Sequence, residues 1–223
     1  MRRLCLLFLA AFPLAASAED TAAPNLDPSA VTAPGLVARM VTAQALFAAG
    51  QLQKDALSML AAAHLAGSVT LIATERQPEA GAATAIDGEG PPLPPDAAAM
   101  AAAARAALDP DETLAIVLAE EEAANRLIPA GSLRSTQAVL APGAAQDWRL
   151  AFDGQALAEV GIIGAGQVPL RMTVTDAAGA VICMPQTQKP TASCAFVPRE
   201  SGYFTLRVEN LSEQPASYLL LTN

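Results

Sequence analysis

The chain has 223 residues, 52% of them apolar but only 4% aromatic, and its 22 acids against 13 lysines and arginines give a net charge of −9. That acidity excludes association with nucleic acid or anionic lipid by bulk electrostatics. One histidine and three cysteines exclude most multi-ligand metal centres.

The first 18 residues have the form of a secretory signal peptide. Met1-Arg2-Arg3 is a short basic region, residues 4–14 are an apolar run, and Ala16-Ser17-Ala18 is a small-x-small cleavage site. A membrane span needs about 20 apolar residues, so this run reads as a cleaved leader, with cleavage after Ala18 and a periplasmic or secreted destination. No later stretch has the composition of a span. Removing Arg2 and Arg3 leaves 11 basic against 22 acidic residues, a net of −11. The charge is uneven, −10 over residues 19–132 and −1 over residues 133–223, and the second part is a candidate to dock on the acidic first part.

Residues 19–33 are polar and contain Pro24 and Pro28, which predicts a flexible lead-in. Residues 34–130 form an alanine-rich helical region. A first helix is predicted from Pro34, with Leu36, Met40 and Phe47 on one face and Gly50 as its stop. A second spans about residues 53–66, with Leu57, Leu60, Ala61 and Leu65 as its apolar stripe, and the two should pack as an antiparallel hairpin. Residues 69–74 are a short apolar run that either extends the helix or stands alone. Residues 77–95 are rich in glycine, proline and glutamate, a linker or loop ending in a polyproline stretch. Asp96 caps a third helix to about Ala107. Asp109-Pro110-Asp111-Glu112 opens a fourth, to about Arg126, whose Glu120-Glu121-Glu122 run reads as a solvated face.

Composition changes near residue 130, with Pro129-Ala130-Gly131-Ser132 as the hinge. Residues 133–223 alternate as short strands. Trp148, Leu150 and Phe152 alternate with Arg149, Ala151 and Asp153; Leu170, Met172 and Val174 with Arg171, Thr173 and Thr175; Phe204, Leu206 and Val208 with Tyr203, Thr205 and Arg207. Turns fall at residues 153–154, 176–179 and 200–202. Residues 156–163 are a more apolar strand, residues 180–183 lead to a strand from Cys194 that pairs back, and residues 217–221 close the set. Seven or eight antiparallel strands in about 90 residues predict a sandwich or jelly roll. The fold class is therefore α+β, segregated: helical hairpins, then an antiparallel jelly-roll-like β-sandwich.

With the leader removed, Cys183 and Cys194 remain. An even count in an exported chain predicts a disulfide, credited with about 3 kcal/mol by the chain-entropy account. Two free buried thiols are the alternative.

The pattern Leu170-x-Met172-x-Val174-x-Asp176-x-x-Gly179, then Cys183 and Cys194, then Phe196-x-Pro198-x-x-x-Gly202-x-Phe204-x-Leu206-x-Val208-x-Asn210, ending Tyr218-x-Leu220-x-Thr222-Asn223, resembles bacterial pre-peptidase C-terminal domains over about residues 139–223. The resemblance implies a secreted jelly-roll sandwich of the kind found on extracellular proteases and on non-enzymatic envelope proteins. Lys54-Asp55-Ala56-Leu57-Ser58-Met59-Leu60-Ala61-Ala62-Ala63 is similar to a segment that precedes such domains in other secreted bacterial proteins. Some relatives bind calcium through acids flanking the strand. Pro169 and Arg171 stand at those positions here, Asp176 reads as a turn residue, and no metal or other cofactor is expected.

His64 falls near the apolar stripe of the second helix, and no Gly-x-Ser-x-Gly elbow or glycine-rich phosphate loop accompanies it. The acids of the fourth helix sit on an exposed face, whereas carboxylate pairs that cleave glycosides flank a substrate. Arg149, Arg171, Tyr203 and Arg207 fall on the outward rows of their strands and form a candidate binding face. The expectation is a non-enzymatic exported interaction or accessory protein that meets an envelope protein or glycan. The alternative is a secreted hydrolase, or an accessory subunit of one, with the sandwich as targeting module.

Overall fold

The computed structural model describes residues 23–30, 32–79, 92–108, 120, 131–185 and 189–223. The leader, the predicted fourth helix with its acidic run apart from Glu120, and most of the proline-rich loop lie outside the described residues. The fold is α+β. Helices α1 (Leu36–Gln53) and α2 (Ala56–Gly67) precede strand β1 (Val69–Ala73), α3 (Ala97–Ala107) follows, and eight strands complete the chain. These are β2 (Gly131–Leu140), β3 (Ala145–Phe152), β4 (Ala158–Gly164), β5 (Leu170–Asp176), β6 (Val181–Cys183), β7 (Thr191–Phe196), β8 (Gly202–Asn210) and β9 (Ala216–Thr222).

One sheet has the order β1-β2-β9-β4-β7 and the other β3-β8-β5-β6. Strands β2 to β9 therefore alternate between sheets except at the β5–β6 hairpin, which is the jelly-roll order. The open apolar run of residues 69–74 resolves as a fifth strand: β1 pairs in parallel with β2, Val69 opposite Gly131 and Ala73 opposite Ser135. The run does not extend α2, and its backbone is satisfied at the sheet edge instead.

Two cores follow from the strand period of two. The inner rows of both sheets meet in the sandwich, with Leu140, Trp148, Leu150, Val160, Ile162, Met172, Phe196, Phe204, Leu206, Tyr218 and Leu220 buried. Phe196 and Phe204 lie with ring centroids 5.0 Å apart, and Phe152 meets them edge-on at 5.6 and 5.9 Å. The outer row of the five-stranded sheet supplies Leu133, Ile163 and Leu221 to a second core with Val37, Met40, Phe47, Met59, Leu60 and Met100 of the helices. Strand β4 is thus buried along its whole length. Burial on both faces explains why its sequence is apolar without alternation. The expected docking of the helical part on the sandwich takes this form, as a third layer on one sheet.

The helix edges show two departures from the periodicity. Gly50 does not stop α1, which runs to Gln53 and ends at Lys54 in the left-handed region, φ 54°. A Cβ at Gly50 would lie 2.9 Å from Met59 Cγ and 3.0 Å from Met59 N, so this glycine is a contact point that lets α2 close on α1. In α2 the buried face is Met59, Leu60, Ala62, Ala63 and Ala66, while Ala61 is exposed and Leu57 is 53% exposed. Helix α2 packs against both α1 and α3. Short alanine side chains allow that approach, so the interface follows the alanines and not the leucine spacing. Asp55 and Asp96 cap α2 and α3 by accepting from Leu57 N (3.1 Å) and Ala99 N (2.8 Å).

The lead-in is held, not loose, over residues 24–30. Asn25 brackets Glu200, its Nδ2 donating to the Glu200 carbonyl (2.9 Å) and its Oδ1 accepting from Glu200 N (3.0 Å). Asp27 N donates to Val197 O (2.9 Å), and Leu26 packs on the sandwich core. The side-chain amide of Asn25 imitates a backbone pair, which composition does not reveal.

Inside the sandwich, Trp148 Nε1 donates to Tyr218 Oη (2.7 Å), Tyr218 Oη donates to Gln146 Oε1 (2.8 Å), and Gln146 Nε2 donates to Val139 O (3.2 Å). Burial pushes the Tyr218 phenol far above the usual tyrosine range, with the Trp148 bond opposing it. A folded-state value raised above the unfolded one, near 10, gives stability that is complete below about pH 10 and falls as pH rises beyond it. Unfolding midpoints between about pH 9 and 11.5 should show that fall. Tyr218→Phe should cost about 1–3 kcal/mol at neutral pH, by leaving buried partners unsatisfied, and should flatten the alkaline limb. An unchanged alkaline limb in the variant would assign the pH dependence to other groups.

Candidate functional site: the open face of the four-stranded sheet

The helices cover the outer face of one sheet. The outer face of the other, β3-β8-β5, is open among the described residues. Its inner row is sealed into the core, and its outer row is half-buried or exposed, as in the alternating burial of β5.

All four residues predicted for a binding face lie on this row. Arg149 on β3 stacks its guanidinium 3.9 Å from the ring centroid of Tyr203 on β8. The pair is diagonal across the ladder, since Arg149 faces Thr205 and Tyr203 faces Ala151. Tyr203 is 52% exposed. A guanidinium over a tyrosine ring gains about 0.5–1 kcal/mol at an exposed site, which biases the rotamers of both toward the stacked pair without freezing them.

The other two arginines are engaged. Arg207 Nη1 donates to both oxygens of Asp147 (3.1 and 3.0 Å), directly across the ladder, and its Nε lies 3.8 Å from Glu209. Arg171 Nη1 donates to Glu209 Oε2 (3.4 Å), again directly opposite. Exposed pairs of this kind contribute between about 0 and 1 kcal/mol each, so they shape the surface more than they stabilise it. Asp147 and Glu209 are the members that the outward-row reading omitted. Each lies two residues from a predicted arginine on the same strand, at same-face spacing, and that spacing was the signal for them. The face thus splits into an Arg149–Tyr203 platform and a neutralised ion-pair row.

The other candidates fall elsewhere. Cys183 and Cys194 are bonded, with Cα atoms 6.3 Å apart. They do not join a hairpin, as the expected back-pairing of the two strands implied. Cys183 ends β6 of one sheet and Cys194 lies within β7 of the other, both edge strands, so the bond closes one side of the sandwich. The Asp176 carboxylate is filled by backbone donors: Asn25 N (2.8 Å), Ala178 N (3.0 Å) and Ala180 N (2.9 Å). It is a turn anchor that also ties down the lead-in. His64 is half-buried in the last turn of α2. Among the described residues no three histidines, cysteines or acids converge as a metal site, and no helix is long and apolar enough to cross a membrane.

The strand order and disulfide define a jelly-roll β-sandwich with helices on one sheet. No known family matches the sequence, and no curated protein matches it. Among solved structures the chain is similar to the pre-peptidase C-terminal domain of a collagenase from Bacillus anthracis, at 11% identity and TM-score 0.34, covering 40% of this chain and 87% of that one. It is also similar to PliG of Aeromonas hydrophila, a periplasmic inhibitor of g-type lysozyme, at 11% identity and TM-score 0.30, covering 41% and 86%. A third similarity is to the C-terminal CBM6 of LamC, a laminarinase from Zobellia galactanivorans, at 14% identity and TM-score 0.22, covering 37% and 75%. The fold assignment rests on this chain's own strand order.

Proposed function

We propose that the chain is a non-catalytic exported interaction module that meets an envelope protein or glycan through the open face of the four-stranded sheet. The observation that carries the reading is Tyr203, half-exposed and held by Arg149 on a sheet face that nothing else covers among the described residues. Tyrosine and arginine are enriched where binding energy concentrates, because a rigid ring offers area at little entropic cost. The neutral ion-pair row beside it supplies a polar rim. The likeness of residues 139–223 to pre-peptidase C-terminal sandwiches supports the same reading, as does the signal-peptide pattern for export.

The test is retention on immobilised mature protein, using envelope extract and solubilised cell-wall glycan. A specific component should be retained, and Tyr203→Ala should weaken its binding about tenfold or more, the size of a truncated anchor, with the unfolding midpoint unchanged. Equal retention by wild type and variant would remove the face from the function. Turnover of the retained glycan or protein would refute the non-catalytic reading.

A further inference from the structure

After β1 the chain crosses the side of the sandwich opposite the disulfide. Thr74 N donates to Ser135 O (2.8 Å), the Thr136 hydroxyl donates to Thr74 O (2.8 Å), and Glu79 N donates to Asp147 O of the other sheet (2.9 Å). Residues 74–79 thus form a strap from β2 to β3. Arg76 lies under it, half-buried, with Nη2 donating to the Thr222 hydroxyl (2.8 Å) and Nη1 to the Thr136 hydroxyl (3.3 Å).

Arg134 stands directly opposite Thr222 on the β2–β9 ladder, and Thr136 is two residues on. Directly opposed residues and residues two apart share a face. The Arg134 side chain therefore emerges on the face that receives Arg76. Burial, and then the charge of Arg134, hold the Arg76 guanidinium below the usual arginine range, so the two cations feel each other. Among the described residues no carboxylate pairs with either, and the strap's own acids, Glu75 and Glu79, are exposed. Two hydroxyls satisfy only part of a guanidinium's five donors and none of its charge.

We infer that Arg76 and Arg134, with the Thr136 and Thr222 hydroxyls, form an oxyanion-binding site, for a carboxylate or a phosphoryl or sulfuryl group of a ligand. Such a group accepts two parallel N–H bonds from one guanidinium and a third from the other, and these charge-assisted bonds are about twice as strong as neutral ones. Binding removes the repulsion between the cations. The net charge of the protein opposes anions at long range, so the site selects by short contacts and not by steering. It lies on the side of the sandwich, away from the Arg149–Tyr203 platform, and does not depend on that platform's role.

The test is a backbone NMR titration of the full mature chain with inorganic phosphate and, separately, malonate, against chloride at equal ionic strength. Saturable shifts should cluster at residues 74–76, 134–136 and 222. Arg134→Gln should weaken the response about tenfold, the loss of one charged hydrogen bond, whereas Lys189→Gln should not. The Arg134 side chain is exposed and makes no hydrogen bond among the described residues, so its variant retains the fold even if Arg76→Gln does not. A tighter response to phosphate assigns the phosphoryl or sulfuryl class, and a tighter response to malonate the carboxylate class. Shifts that match chloride, or that survive Arg134→Gln unchanged, overturn the site.

Discussion

Glu159→Ala should lower the unfolding free energy by about 3 kcal/mol, because it removes the cap of a helix that has no cap of its own. Helix α1 begins at Gly35, which offers no side chain to its first turn. The acceptor comes from β4: the Glu159 carboxylate, 3% exposed, accepts from Gly35 N (3.0 Å) and Leu36 N (2.9 Å). Two otherwise orphaned N–H groups are satisfied there, and a negative charge sits at the positive end of the helix dipole. A buried carboxylate is costly unless its oxygens are bonded, and here each oxygen has one donor. Alanine leaves both half-buried donors without this acceptor, at up to about 1–3 kcal/mol each less whatever water recovers.

The junction is shaped to admit this contact. A Cβ on Gly35 would overlap the carboxylate, and one on Gly161 would overlap Val37 and meet Ala192 O at 2.9 Å. The first turn of α1 is therefore seated through a glycine of its own, Gly35, and a glycine notch of the sheet at Gly161. Glu159→Gln should recover part of the loss, since its Oε1 can accept one bond while its Nε2 faces the other donor. Urea titration measures the loss, and amide exchange locates it. The amides of α1 should exchange faster than those of β5 and β8. A loss below about 0.5 kcal/mol, the range of an ordinary surface change, or uniform acceleration across both sheets, would show that the helix layer does not hang on this cap.

The same junction marks what the residues did and did not disclose. Alternation at Leu170-Met172-Val174 and Phe204-Leu206-Val208 fixes strands and their inner faces, because the side-chain period of a strand is two and one sheet face here is open. The outward set Arg149, Arg171, Tyr203 and Arg207 follows from the same parity, and the structure brings all four onto one face. In the alanine-rich half parity is replaced by a nearly featureless apolar surface. There the helix faces are chosen by tertiary partners: Gly50 by Met59 of the next helix, and, far away in sequence, Val37 by Gly161 and the start of α1 by Glu159. Glu159 reads as a lone acid in an apolar strand, and nothing within several residues of it announces a helix terminus. Arg76 is hidden in the same way, at the end of a short apolar run whose pairing with β2 spans about 60 residues of chain. Long-range polar pairs of this type carry no local period, so they become visible only once the strand order is known.

Breaking the Cys183–Cys194 bond should cost about 3 kcal/mol, and its position predicts where the loss appears. The two cysteines are 11 residues apart, and closing so short a loop constrains the unfolded chain by about that amount on the entropic account. The bond also has a native-state task. Strand β6 has three residues, pairs only with β5 among the described residues, and shifts register between Val174 and Thr175. Among the described residues strand β7 pairs only with β4. Neither sheet alone holds the two edges together, and Val181 and Met184 beside the bond are about half exposed, so apolar packing contributes little there. On the opposite side the strap at residues 74–79 does the corresponding work through hydrogen bonds. The paired substitution Cys183→Ser with Cys194→Ser should therefore lower the urea midpoint and raise the slope of the transition, because the unfolded chain becomes less compact. Amide exchange should quicken first in β6 and the adjoining end of β5, while β8, β9 and β4 keep their protection. If the midpoint falls without a change in slope, and exchange rises equally in all strands, the bond acts on the folded sandwich as a whole and not as a clasp on one edge.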